Sequence, residues 1–295
     1  MCARAWLWLC FTAVTLAPRP ALAEAGACPG APTLEQAAKM YPWTRRQPGY
    51  ASLACRVAAP AGCVRLPAEK GSYAHWLRHL PLLPEKTPVR SYLGDIILAG
   101  SSRHLAAVVD LDVGKRDRQQ CADTIMRLRG EYLHWRGQAD RTRFFWAGGA
   151  RFSYQQWRQG IRPVKQGRKW VFARRARPSQ GYGSFRRYLG YMFSWTGSLH
   201  QMGEPRVKAG KLEPGDFFIQ GGSPGHAVVV LDLCRDATGR LRGVIGQGFM
   251  PAQDLHLLRA ASDGSPWFRL DPSQPTVHTP LWRPFHWSDL RRFRY

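Results

Sequence analysis

Residues 215–233 read GDFFIQGGSPGHAVVVLDL, and the run AVVVL at 227–231 decides how this chain folds. Five consecutive apolar residues rich in valine, entered from a glycine-rich turn, predict a short strand in the interior of a sheet. DFFIQ at 216–220 predicts a second strand on the other side of the Gly-Gly-Ser-Pro-Gly turn. His226 is the exception to a purely structural pattern. It places a titratable ring at the mouth of a core strand, beside glycines that keep the backbone slim and open. A satisfied core histidine and a catalytic base both fit that position.

Working outward, residues 241–247 (LRGVIGQ) predict a third strand, ending at Gln247. Upstream, residues 89–98 and 104–114 have strand character, and residues 75–84 (HWLRHLPLLP) form a short amphipathic segment stopped by prolines. Apolar residues at 121, 125, 128 and 132, with a parallel set at 122, 126 and 133, predict a helix over residues 121–135. Residues 144–152 suggest a hairpin around Gly148-Gly149, and residues 184–201 a second helix. The tail from Pro266 alternates aromatics with arginines and prolines, like a strap across a finished domain. Helices early and an antiparallel sheet late define an α+β fold.

The first 23 residues, MCARAWLWLCFTAVTLAPRPALA, have a charged start, a short apolar run and a final Ala-Leu-Ala. They are expected to be a cleaved signal peptide. The run is short for a membrane anchor, which needs about 20 apolar residues, and Cys28 lacks the upstream leucine of a lipoprotein site. Residues 24–70, rich in Pro, Ala and Gly, are expected to be an irregular segment before a single domain over 71–295. The mature protein is expected in the periplasm or outside the cell, without an integral membrane segment; its oligomeric state is open.

The 295-residue chain carries a net charge of +23. Loss of Arg4 and Arg19 with the leader leaves +21, an excess that favours anionic partners. In an exported protein these are envelope polymers, lipid head groups and cell-wall carboxylates. The arginines look scattered, and no zinc-finger spacing or RNA-binding signature occurs, so nucleic acid is not expected. The mature chain holds five cysteines: Cys28, Cys55, Cys63, Cys121 and Cys234. An oxidising compartment pairs what it can and leaves one thiol over. Cys121 is expected to be free, with Cys55 bonded to Cys63 across a Pro-Gly turn, or to Cys28.

Cys121 stands at the first turn of the predicted helix, where unpaired N–H groups and the helix dipole lower a thiol pKa and can hold an oxyanion. A thiolate at a helix start, followed in the chain by a histidine on a strand, is the arrangement of papain-like cysteine hydrolases. Gln247, ending the next strand, is the candidate to orient the His226 ring. Asp232 lies six residues along the strand, roughly 20 Å away when extended, and is too distant. The expected fold is therefore a papain-like core, its nucleophile-bearing helix packed on the late sheet. Cys121, His226 and Gln247 are the candidate catalytic residues.

The chain also resembles an uncharacterised family of exported bacterial proteins that share the blocks HWLRHLPLLP (75–84), DVGKRDRQQCADTIMRLRGEYL (112–133), GDFFIQGGSPGHAVVVLD (215–232) and GQGFMPAQDLHLL (246–258), then PWF and TPLW. That resemblance implies motifs but no activity. The succession of a GD strand and a GHA strand is similar to the cell-wall branch of the papain-like superfamily, and implies cleavage of peptide bonds in peptidoglycan stems. This chain departs from that branch at Gln120, where Asp is usual.

Gln120, Gly222, Gly225 and Trp76 are candidates for oxyanion or substrate contacts. Trp195 could join Trp76 in a wall that stacks on sugars, and Gln119 could also donate to an oxyanion. Neither the Asp110, Asp112, Asp117 group nor the His75, His79 pair fits a metal motif, so no metal or cofactor is expected. Asp254 and His256 fit a packing or turn role. No G-x-S-x-G elbow occurs, which disfavours a serine hydrolase. The expected activity is cleavage of an amide in an envelope substrate, foremost the peptidoglycan stem peptide. A thiol acyl hydrolase or transferase acting on lipid, and a non-enzymatic binding protein for an anionic ligand, are the alternatives.

Overall fold

A computed structural model describes residues 31–44, 51–147 and 149–294. The expected signal peptide, Cys28 and Gly148 lie outside the described residues. The run at 227–231 sits at the centre of an eight-stranded antiparallel sheet, in the strand His226–Asp236 (the histidine strand). Phe217–Gln220 and then Leu290–Arg291 flank it on one side. On the other lie Leu241–Gln247 (the glutamine strand), His256–Leu258 and Leu105–Val108. Trp267–Leu270 pairs with the glutamine strand, and Cys63–Arg65 with the far end of the histidine strand.

The unbroken apolar run has a simple cause, since both faces of the histidine strand are covered. Ala227, Val229 and Leu231 join a core with Ala122, Ile125, Met126 and Leu128 of the helix Cys121–Trp135 (the cysteine helix). Val228 and Val230 join a second core with Phe218, Ile245, Phe268 and Phe285. A bulge after Val230 then inverts the alternation. It leaves Leu233 in the second core and turns Asp232 to Arg65 and Arg78, at 2.8 Å each. That pairing accounts for the buried Asp232 carboxylate.

The cysteine helix spans the residues its periodicity predicts. It is buried on nearly every side, including Arg127, whose guanidinium donates to Asp112 (2.6 Å) and Gln119 (2.8 Å). A Cβ on Gly130 would stand 3.1 Å from Phe185 and 3.2 Å from Leu189, so this glycine lets the helix Tyr182–Trp195 approach closely.

The α+β class holds, with corrections to its parts. The second helix is not continuous over 184–201. It runs over Tyr182–Trp195, breaks where Thr196 and Gly197 become extended, and resumes as Ser198–Gln201. Residues 89–98 form two short paired strands that turn through Gly94 (φ +96°), not one strand. The segment before residue 71 is not irregular, because it contributes the helices Leu34–Met40 and Leu53–Arg56 and one strand of the main sheet. The sheet is accordingly built from both ends of the chain. Among the described residues, no helix is long and apolar enough to cross a membrane.

The expected Cys55–Cys63 bond is also corrected. Cys63 is bonded to Cys234, with Cα atoms 5.7 Å apart. Cys63 lies on a strand paired with the end of the histidine strand, which brings the two residues together. Among the described residues Cys55 is a free, exposed thiol that accepts from the Ser52 hydroxyl, and Cys121 is free and buried.

Candidate active site

Gln120 is the last extended residue before the cysteine helix, and three contacts fix the point where the helix begins. The Asp123 carboxylate accepts from the Gln120 N–H (3.2 Å), and the Thr124 hydroxyl donates to the Gln120 carbonyl (2.8 Å). Asp117 accepts from the Gln120 side-chain amide (2.9 Å) and from the Ala252 N–H (2.7 Å), which ties the helix start to the loop after the glutamine strand. Gly248 completes the junction. A Cβ there would lie 2.5 Å from the Thr124 hydroxyl and 3.1 Å from the Gln120 carbonyl.

Cys121 is therefore the first helical residue. The residue is only 5% exposed, and its thiol meets the backbone N–H groups of Ala122 and of Ala227, the residue after His226. Contrary to the expectation from the helix terminus, its pKa is pushed up to about 11. Burial is the main cause and the charge of Asp123 the second, together outweighing the N–H groups that favour the thiolate. Burial also holds the Asp123 carboxyl well above the ordinary range.

His226 is fully buried against Phe249 and Trp282, with ring centroids 4.6 and 4.8 Å away. Its Nε2 lies 2.8 Å from Gln247 Oε1, and its Nδ1 has no partner. Burial lowers its pKa to about 4 despite the Gln247 bond, so the ring is neutral at pH 7. A residue not assigned to this site from the sequence sets its proton. Gln247 and His256 are direct cross-strand partners, and Gln247 Nε2 lies 3.3 Å from His256 Nε2. His256 Nδ1 in turn lies 3.0 Å from the Asp254 carbonyl. That carbonyl can only accept, so His256 carries its proton on Nδ1 and accepts from the Gln247 amide at Nε2. The amide then presents its oxygen to His226, which must donate from Nε2. Nδ1 of His226 is left as a bare acceptor. The sequence signal for His256 is its place in MPAQDLHLL, two residues from the Asp254 that anchors it.

A cleft of about 780 Å³ opens over Cys121, bordered by Gln120, Trp195, Ser198, Gly222 and Gly225 among others. His226 and Gln247 are buried and do not border it. Gly225 is needed for close packing, since a Cβ there would stand 2.1 Å from the Ser198 hydroxyl. Trp76 requires correction as a substrate contact. It is fully buried among Tyr41, Trp43 and Tyr73, and its indole N–H donates to the Met40 carbonyl. Gln119 accepts from Arg127 at Oε1, leaves its buried Nε2 without a partner, and does not border the cleft. Among the described residues, no group of three or more His, Cys, Asp or Glu could hold a metal.

Fold and site thus define an α+β protein that carries a buried cysteine, histidine and glutamine beneath an open cleft. The chain belongs to the family described as Domain of unknown function (4846), whose model matches residues 53–292. No curated protein and no solved structure matches it.

Proposed function

We propose that this chain is an exported thiol hydrolase of papain-like arrangement, acting on an amide in the cell envelope, foremost in the peptidoglycan stem peptide. The observation that carries the reading is His226, held through Nε2 by Gln247 with a bare Nδ1, next to the residue whose N–H meets the Cys121 thiol.

In this mechanism His226 Nδ1 takes the Cys121 proton as Sγ bonds to the substrate carbonyl carbon. Backbone N–H groups at the helix start hold the developing oxyanion. The imidazolium then protonates the leaving nitrogen as the C–N bond breaks, leaving a thioester. Water, deprotonated by the same Nδ1, hydrolyses the thioester and returns the proton to sulfur. With the thiol pKa near 11 and the imidazole near 4, the resting pair is neutral, and proton transfer accompanies attack instead of preceding it. The Cys63–Cys234 bond supports an oxidising compartment.

The same burial of Cys121 favours a second reading, a binding protein for an anionic ligand whose thiol only packs the core. Digestion of purified peptidoglycan, read by the masses of released fragments, separates the two. The hydrolase reading expects new amine and carboxyl termini from the native protein and none from Cys121→Ala. Equal fragment patterns, or no fragments from either protein, would leave the binding reading.

A further inference from the structure

The cations of this chain are not evenly scattered. Between Asp140 and Glu204, residues 141–203 contain thirteen lysines and arginines and no acidic residue. The segment lies between the cysteine helix and the strand Phe217–Gln220 in the chain, and supplies the Trp195 wall of the cleft. Several of its arginines are already occupied: Arg151 pairs with Glu204, Arg158 with Asp140, and Arg186 with Asp112 and Glu131. Lys165, Arg168, Lys169, Arg174, Arg175 and Arg177 are exposed and enter no ion pair among the described residues. They line a two-stranded hairpin, Ile161–Gln166 with Lys169–Arg174, and the stretch that follows it.

The hairpin also carries aromatic rings that globular surfaces rarely leave open. Trp170 and Phe172, two apart and so on one face of the strand, are 38% and 37% exposed, and Trp195 is 39% exposed. The rings are braced from beneath. Trp170 meets Trp146 edge-on at 4.5 Å, and Phe172 stacks on Phe152 at 5.5 Å. Trp170 and Trp195 are 5.7 Å apart, so the rings join the hairpin to the thiol cleft.

We infer that this face binds an acidic polysaccharide and leads it towards Cys121. Braced, partly open rings suit the flat CH faces of sugars, and their edge-on and stacked contacts with Trp146 and Phe152 hold them against the domain. Unpaired cations beside them suit carboxylates. A nucleic acid would satisfy the same charges, but its backbone offers no amide to the cleft. The choice of a glycan that bears amides therefore rests on the hydrolase reading, while binding itself does not need turnover.

The test uses Cys121→Ala protein, so that binding is measured without cleavage. Its probes are polygalacturonate, a neutral chitin oligosaccharide, oligodeoxythymidylate and phosphatidylglycerol vesicles. Polygalacturonate should bind most tightly and weaken with salt. Lys165→Ala with Arg174→Ala, which share the face of Trp170 and Phe172, should weaken it at least tenfold. Trp170→Ala should do the same, and Trp170→Phe should restore most of the loss, which separates ring contact from loosened packing. Tighter binding to DNA or vesicles, binding indifferent to the ring, or no binding to any probe would overturn the inference. Peptidoglycan cleavage by the native protein is scored separately. Binding without cleavage would refute only the hydrolase reading, and cleavage without polysaccharide binding only this one.

Discussion

At the scale of single residues, the chemistry of the site turns on where protons rest. Burial drives the Cys121 thiol and the His226 imidazole in opposite directions because the charged form is the anion in one and the cation in the other. The neutral pair predicts an unusual pH profile. In the proposed hydrolase His226 would serve as base only when unprotonated, so the acid limb of kcat/KM should lie near pH 4, well below the 6.5 of an ordinary histidine. A limb at 6.5 would contradict the buried ring. The same shift is linked to stability. The unfolded chain protonates His226 below pH 6.5 while the folded chain resists until about 4, so its contribution is present above 6.5 and is lost as pH falls through that window. His226→Gln should therefore melt with less sensitivity to pH between 6.5 and 4 than the native protein. In the same variant, rate should fall by ~10² to 10⁴-fold with the fold intact. Cys121→Ala should be at least as severe, and Gln247→Ala milder because it removes orientation and leaves the proton carrier.

At the scale of elements, the site exists because a helix start is held against the ends of two adjacent strands. Gly248 and Gly225 mark the closest approaches, one against Thr124 and the other against Ser198. Gly248→Ala places a methyl group where the Thr124 hydroxyl caps the Gln120 carbonyl. The neighbours must shift, at a cost of about 1–3 kcal/mol. Because that contact sets the helix start beside the glutamine strand, the variant should lose turnover beyond its loss of stability. Comparison of melting temperature with kcat checks this, and a change in stability alone would mean the junction tolerates displacement. The break at Thr196-Gly197 belongs to this scale too. Trp195 closes one helix and Ser198 and Leu199 open the next, so the cleft wall is drawn from both sides of the break.

At the scale of the whole molecule, the Cys63–Cys234 bond joins residues separated by 171 positions and fastens the N-terminal strand to the central one. Restricting so long a loop in the unfolded chain is worth about 5 kcal/mol at most in the chain-entropy account. Replacing both cysteines by serine should lower the melting temperature by many degrees, whereas Cys55→Ser should leave it nearly unchanged. Thermal unfolding of the two variants checks the pairing directly; a large effect of Cys55→Ser would contradict it.

The features legible in the chain alone were local ones. Valine-rich runs placed the histidine and glutamine strands, and 3.6-residue spacing placed the cysteine helix, because burial of one face or both leaves a periodic trace in the chain. His226 and Gln247 were legible for the same reason, since each ends a strand next to a glycine turn. Their proton arrangement was not. It depends on the register that sets Gln247 opposite His256, and register is a relation between strands that no single stretch encodes. The Cys63 partner was hidden in the same way, because the nearer cysteine in sequence is not the nearer one in space. Trp76 and Trp195 look alike in sequence, yet one is enclosed in the core and the other opens to the cleft. The rise in the Cys121 pKa was likewise decided only by tertiary packing. A helix terminus is a local feature that favours the thiolate, but the desolvation that outweighs it comes from everything folded around the sulfur.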